Sequence, residues 1–329
     1  MRRHLFVLIS LMILMMAGCD LDSSDTGSDF GPSDSALMPA AIREMRNTTV
    51  RLASGRYAMA EQIRFDAGSS LVLEGSGSGM GASATILDFA RYSAAVSDAR
   101  ALSVRGGVTV KNLTLINVGN RAVDLRTGTV DTPSADPVTF TNVWFIDCKV
   151  GLKTTGGRTV GTADVPMTVR NCLFAFTADY PFSETDTAVE FRDTTYAVFD
   201  HCDFIGDRAL FKFHLDDPEN APNTGPGVTV KNAILAIFNG TGEIGLDIGA
   251  GSLTLESSVV WDFSSNGDII RSGNGTISES DTVAGDPLYV DAAPNTDALN
   301  LNVNLKAGSP AIGLAADNRD AGSVARNAP

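Results

Sequence analysis

Residues 108–117 read VTVKNLTLIN, and the chain returns to that pattern five more times. The copies are VTFTNVWFID from Val138, MTVRNCLFAF from Met167, AVFDHCDFIG from Ala197, VTVKNAILAI from Val228 and LTLESSVVWD from Leu253. The starts lie 30, 29, 30, 31 and 25 residues apart, and self-similarity at that period marks a stacked-repeat architecture. Within each copy two short runs of apolar–polar alternation flank one polar residue, so each reads as strand, sharp turn, strand. The turn position is Asn112, Asn142, Asn171, His201, Asn232 and Ser257. Asparagine tolerates the left-handed backbone of a tight turn, and its amide can hydrogen-bond to the asparagine one repeat on. Three residues further along stand Leu115, Phe145, Phe174, Phe204, Leu235 and Val260, apolar throughout, which predicts an inward stack with three phenylalanines in succession. The alternative column, Thr114, Trp144, Leu173, Asp203, Ile234 and Val259, is mixed and is expected to point the other way.

A third run follows each copy: AVDLR from Ala122, VGLKT from Val150, AVEFR from Ala188, ALFKFH from Ala209, IGLDI from Ile244 and DIIRS from Asp268. Three strands per turn, each about 4.8 Å from its counterpart in the next turn, make a right-handed parallel β-helix. The Asn turns, the Phe stack and the three-strand rung resemble the pectate-lyase-like β-helix superfamily over residues 49–313. That resemblance implies an all-β fold, a single-stranded right-handed parallel β-helix with three strands per rung. It also implies a protein that handles acidic polysaccharide, as a lyase or a hydrolase. Fold does not fix activity.

The ends read differently from the middle. Arg2 and Arg3 precede an apolar run over residues 5–16, too short to span a bilayer and suited to a signal peptide. It ends in Met16-Ala17-Gly18-Cys19, which resembles a bacterial lipobox and implies lipidation of Cys19 and a tether to a membrane of the cell envelope. Four parts are expected: signal peptide 1–18, acidic disordered tether 19–34, β-helix 35–313 and a polar tail 314–329 that frays. Residues 36–46 carry Leu37, Met38, Ala41, Ile42 and Met45 at helical spacing behind Ser33, Asp34 and Ser35, which predicts a short helix capped by those side chains that plugs the open end of the solenoid. Gly75, Gly77 and Gly79 lack the helix that a dinucleotide-binding fingerprint needs and read as a glycine-rich turn. Cys172 and Cys202 fall in one inward column on neighbouring rungs, as core thiols or as a disulfide, and Cys148 has no evident partner.

Charge narrows the function. The chain holds 25 Lys and Arg against 39 Asp and Glu, a net of -14. Such a surface repels nucleic acid, and an acidic glycan would need a local basic patch or a bridging cation. A monomer tethered to a membrane is expected. Long connections on both sides of the third strands point to that face as the site. Its outward residues are expected to form two ladders, Asp124, Gly151, Glu190, Lys212 and Arg126, Lys153, Arg192, His214, with Asp247 nearby. In the resembled lyases this sheet carries the active site. Eliminating across a uronate needs its carboxylate neutralised and a base in reach of the α-proton. Lys212 is the candidate base, with Arg192 and His214 beside it to depress its pKa. Arg192 would hold the carboxylate, and Arg126 and Lys153 would bind substrate. Tyr180 and Phe182 would stack on sugars, and Glu190, Asp247, Asp216 and Asp217 could hold calcium. Three classes therefore stay open: a lyase of a uronate-containing polysaccharide, a non-catalytic glycan-binding or structural surface protein, and a glycoside hydrolase, which needs two carboxylates across the groove.

Overall fold

The alternating runs fold as their period dictates. The computed structural model describes residues 28–322 apart from 130–131, 178–185, 207–208, 216–223, 238–243, 263–268 and 293–295. Three sheets of parallel strands wrap a common core, each strand pairing with its counterpart one turn on, as a parallel β-helix requires. The first sheet runs from Thr49–Leu52 through Met167–Arg170 and Tyr196–Asp200 to Thr276–Ser280. The second runs from Gly55–Ala58 through Leu173–Ala175 to Val283–Ala284. The third runs from Ile63–Phe65 through Thr187–Arg192 and Ala209–His214 to Arg271–Ser272. No described helix is long and apolar enough to cross a membrane.

The corner between the first and second sheets is the Asn column. Asn112, Asn142, Asn171, His201, Asn232 and Ser257 all have φ between 46° and 57°, the left-handed turn that the sequence pattern predicts. Asn142 donates to the Asn112 side chain at 3.0 Å, so the amide ladder forms there. Gly75 opens the column one rung earlier, where a Cβ would lie 2.2 Å from the Asn112 carbonyl oxygen. The inward stack also forms: Phe145 lies 4.5 Å from Phe174, and Phe174 lies 5.0 Å from Phe204, nearly parallel in both pairs. Cys172 and Cys202 are buried free thiols in the same core.

The second sheet is buried on both faces, which the alternation alone does not reveal. Leu173, Ile234 and Val259 on its outer side are fully buried in a second apolar cluster with Tyr289, Val303, Ala311 and Ala321, and Asp203 in the same column is fully buried too. The C-terminal segment folds back over the sheet as a strap. Tyr289 Oη donates to Asp203 at 2.8 Å, and the Ala316 and Gly322 amides donate to the Asn232 side chain and carbonyl. Residues 314–322 are therefore docked where fraying was expected, because Ala315 and Ala321 are buried. The glycine-rich turn covers the same sheet further up, with Gly79 and Thr114 exchanging two hydrogen bonds.

The N-terminal end also differs in detail. Ser28–Phe30 pairs in parallel with Val50–Leu52, so the tether expected to reach residue 34 gives way earlier to an edge strand whose Phe30 packs on the core. Helix Met38–Glu44 plugs the end with Met38 and Ile42 fully buried. Its N-cap is Leu37 without a side-chain bond, since Pro32–Asp34 forms its own turn and Asp34 accepts from the Gly31 amide.

Candidate functional site

With the strap over the second sheet, the third sheet presents an open face, and register decides which side chains meet on it. One ladder runs Ser103, Asp124, Lys153, Glu190, Lys212, Asp247, Ser272, one residue per rung. Arg192 and His214 pair in a second column. The expected assignment of Gly151 to the first ladder and Lys153 to the second is thus corrected. Val150 pairs with Arg121, where the expected assignment would set it opposite Val123, and the corner between Val118 and Arg121 holds one residue more than that between Cys148 and Val150. Gly151 is pressed instead against the Ala188 carbonyl, where a Cβ would sit at 2.5 Å.

The corrected ladder alternates in charge, and each buried carboxylate gathers cations. Asp124 is fully buried. Its oxygens lie 2.9 Å from Arg100, 3.1 Å from Arg121 and 2.7 Å from Arg126, and Thr155 donates to it at 2.7 Å. Burial alone would raise its pKa, yet the Thr155 hydrogen bond and the three guanidinium groups hold it below the ordinary carboxylate value. Two rungs on, Glu190 accepts from Lys153 at 2.6 Å and from Arg192 at 2.9 Å, with His214 Nε2 at 3.3 Å. Against the same upward pull of burial, His214, Lys153 and Arg192 keep Glu190 well below the usual range. Burial pulls the Lys153 ammonium down, and its contact with Glu190 offsets only part of that.

The candidate residues are therefore brought together on one face but in altered roles. Arg192 and His214 turn to Glu190 and leave Lys212, which sits half-buried between Glu190 and Asp247 and makes no ion pair among the described residues. Asp247 accepts from Ser272 at 3.2 Å. Calcium does not fit at Glu190, whose carboxylate already faces Lys153, Arg192 and the His214 ring, and no cluster of three acidic, His or Cys ligands occurs among the described residues. Tyr180, Phe182, Asp216, Asp217 and Cys19 lie outside the described residues. Arg100, Arg121 and Thr155, which clasp Asp124, were not singled out from sequence. The rung before the first quoted repeat has its own third strand, Arg100–Val104, whose Leu102 and Val104 supply the apolar alternation that would have revealed it.

The fold and face define a parallel β-helix with a cation-rich strip along one sheet. No family model matches the chain, and no curated protein matches it. Among solved structures, a pectin methylesterase from Aspergillus niger is similar at TM-score 0.42 and 15% identity, covering 84% of this chain and 91% of its own. The ORF18 protein of Geobacillus virus E2 is similar at TM-score 0.36 and 11% identity, covering 78% of this chain and 60% of its own. At these values neither likeness bears on the chemistry of the face.

Proposed function

We propose that the chain is a right-handed β-helix that binds an acidic polysaccharide along its third-sheet face, exported and tethered to a membrane of the cell envelope through Cys19. One observation carries this reading: on a protein with an excess of acidic groups, the face and its edges gather, among the described residues, Arg100, Arg121, Arg126, Lys153, Arg192 and Lys212 with His214, alongside Asp98, Asp124, Asp186, Glu190, Asp193 and Asp247. The cations there that the face's own acids do not fully occupy can meet a polyanion that the rest of the surface repels. Lys212 is the cation free to meet a uronate carboxylate without giving up a partner among the described residues. The test is retardation of the purified chain in gels containing alginate or polygalacturonate. Retention that weakens with salt and falls for Lys212→Glu is the expected result. Equal mobility with and without polyanion would overturn the reading.

A second reading, β-elimination, is favoured by the same lysine, which has no ion partner among the described residues. Lys212, as the free amine, would take the proton α to the uronate carboxylate while Arg192, one rung away, faces that carboxylate, and the glycosidic C4–O bond breaks to release the departing chain as an alcohol once its oxygen is protonated. It needs no calcium at Glu190; any calcium dependence would enter through Asp247 with Asp216 and Asp217. Under this reading Lys212→Ala abolishes the ultraviolet absorbance of unsaturated uronate ends and leaves polymer binding measurable. Absence of that absorbance with alginate, pectate and glycosaminoglycans leaves the binding function alone.

A further inference from the structure

A different surface lies around the corner from the charged strip. The first sheet begins each rung with an outward residue, and on four successive rungs these are Tyr196, Gly227, Ser252 and Thr276, directly paired one to the next. The next outward column on the same strands is Val198, Thr229, Thr254 and Ser278. None of the eight is charged. The corner ahead of them curls into an open groove of about 320 Å³, lined there by Gly225, Gly251, Asn274 and Gly275.

The groove owes its depth to glycine. Gly225 and Gly251 have φ of 76° and 75°, and a Cβ on Gly251 would lie 2.1 Å from the Pro226 carbonyl oxygen. Gly227 does something else. A Cβ there would stand 3.0 Å from both Cδ1 and Cε1 of Tyr196, so the missing side chain is what lets the tyrosine ring lie along the neighbouring rung. Tyr196 is half-buried, while Ser252, Asn274 and Thr276 are exposed. The arrangement is an aromatic face at one end and a row of hydroxyl and amide groups beyond it, over about 14 Å at the rung spacing of a parallel sheet.

We propose that this groove is a second glycan subsite, one that holds uncharged sugar units by stacking on Tyr196 and by hydrogen bonds to Ser252, Asn274 and Thr276. An aromatic ring with adaptable small polar neighbours suits a ligand that has apolar ring faces and hydroxyl edges. An anionic unit would find no cation in the lining. The inference rests on the reading of the chain as a polysaccharide binder and adds to it a ligand class that the charged strip would not select. Because Tyr196 follows Arg192 by one short corner, one polymer with charged and neutral stretches can engage both surfaces.

The experiment is affinity electrophoresis of the full chain in gels containing a neutral polysaccharide, with galactan, glucomannan, xyloglucan and dextran each used in turn, and alginate in parallel. Retardation by a neutral polymer that weakens roughly tenfold in Tyr196→Ala, persists in Tyr196→Phe and is unaffected by Lys212→Glu is the expected result. Ser252→Trp, which fills the open groove without touching the core, gives the same loss if Tyr196→Ala proves unstable. Retardation by alginate but by none of the neutral polymers overturns the second subsite and leaves the charged strip standing. A neutral polymer that retards wild type, Tyr196→Ala and Ser252→Trp alike also overturns it. No retardation in any gel removes both readings.

Discussion

Replacing Asp124 by Asn tests whether the third-sheet face is held together by its buried carboxylates. The side chain keeps its shape and loses its charge. Asp124 is fully buried and stands within 3.1 Å of Arg100, Arg121 and Arg126. In Asp124→Asn three guanidinium groups remain around a neutral amide, one oxygen is left to accept, and the new amide N–H points at donors. Breaking a buried ion pair from one side costs about 3–5 kcal/mol. At about 2 °C of melting temperature per kcal/mol for a chain approaching this size, the expected loss is roughly 6–10 °C, followed by far-ultraviolet circular dichroism. Solenoids unfold by neighbouring repeats, so the loss should appear first as faster exchange of amides in the rungs around Asp124. Lys212→Ala is the control, because its ammonium has no ion partner among the described residues, and it should stay within about 0.5 kcal/mol of wild type. An Asp124→Asn protein that melts within about 2 °C of wild type, or no lower than Lys212→Ala, would refute the argument.

Phe174→Ala, which removes the middle ring of the stack, should cost about 3–5 kcal/mol and lower the denaturant midpoint. Tyr289→Phe deletes the strap's hydrogen bond to the buried Asp203 carboxylate and should cost about 1.5–3 kcal/mol, with a gain in binding of a hydrophobic dye as the second apolar cluster loosens. The pH dependence follows from sign. Glu190 and Asp200 both have folded pKa values held below their ordinary values of 4.5 and 3.8, despite the upward push of burial. His214 and Lys153 do this for Glu190, and His201 and Asn232 for Asp200. Their contribution is complete above the ordinary values and is lost as pH falls toward the lowered ones, because the unfolded chain then binds more protons. Melting temperature should be flat from neutral pH down to about pH 5 and fall below pH 4, and Glu190→Gln should start lower and fall less.

The repeat, its corner and its inward stack were legible because each is imposed on every rung. A left-handed turn tolerates few residues, so Asn recurs there, and His201 was recognisable as its substitute by position alone; it adopts φ of 54° like its neighbours. The site was half legible. That Asp124, Lys153, Glu190, Arg192, Lys212 and His214 share one face follows from alternation. Which of them touch does not, because one residue more or fewer in a corner shifts the register of the next strand without changing its pattern, as between Val118 and Arg121. Residues 286–313 read as a closing segment, but where that strap docks was illegible for another reason. Ala311, Ala315 and Ala321 are small and widely spaced, carry no period, and gain meaning only against Leu173 and Ile234, far away in sequence.

The corrected register also changes what the face can do. Two segregated columns would have offered a continuous cationic track to a polyanion. A ladder that alternates Asp124, Lys153, Glu190, Lys212, Asp247 largely neutralises itself, so a glycan carboxylate must compete with Asp124 and Glu190 for cations already bound at 2.6–3.1 Å. Those carboxylates are fixed and desolvated, whereas the glycan must give up water and conformational freedom, so the contest favours the protein's own acids. Binding strength must then come chiefly from the cation that has no ion partner among the described residues, Lys212. This is why a single substitution at Lys212 is expected to weaken polyanion binding more than its share of the face's formal charge would suggest, and why substitutions at Lys153 or Arg192 would report on stability before they report on ligand.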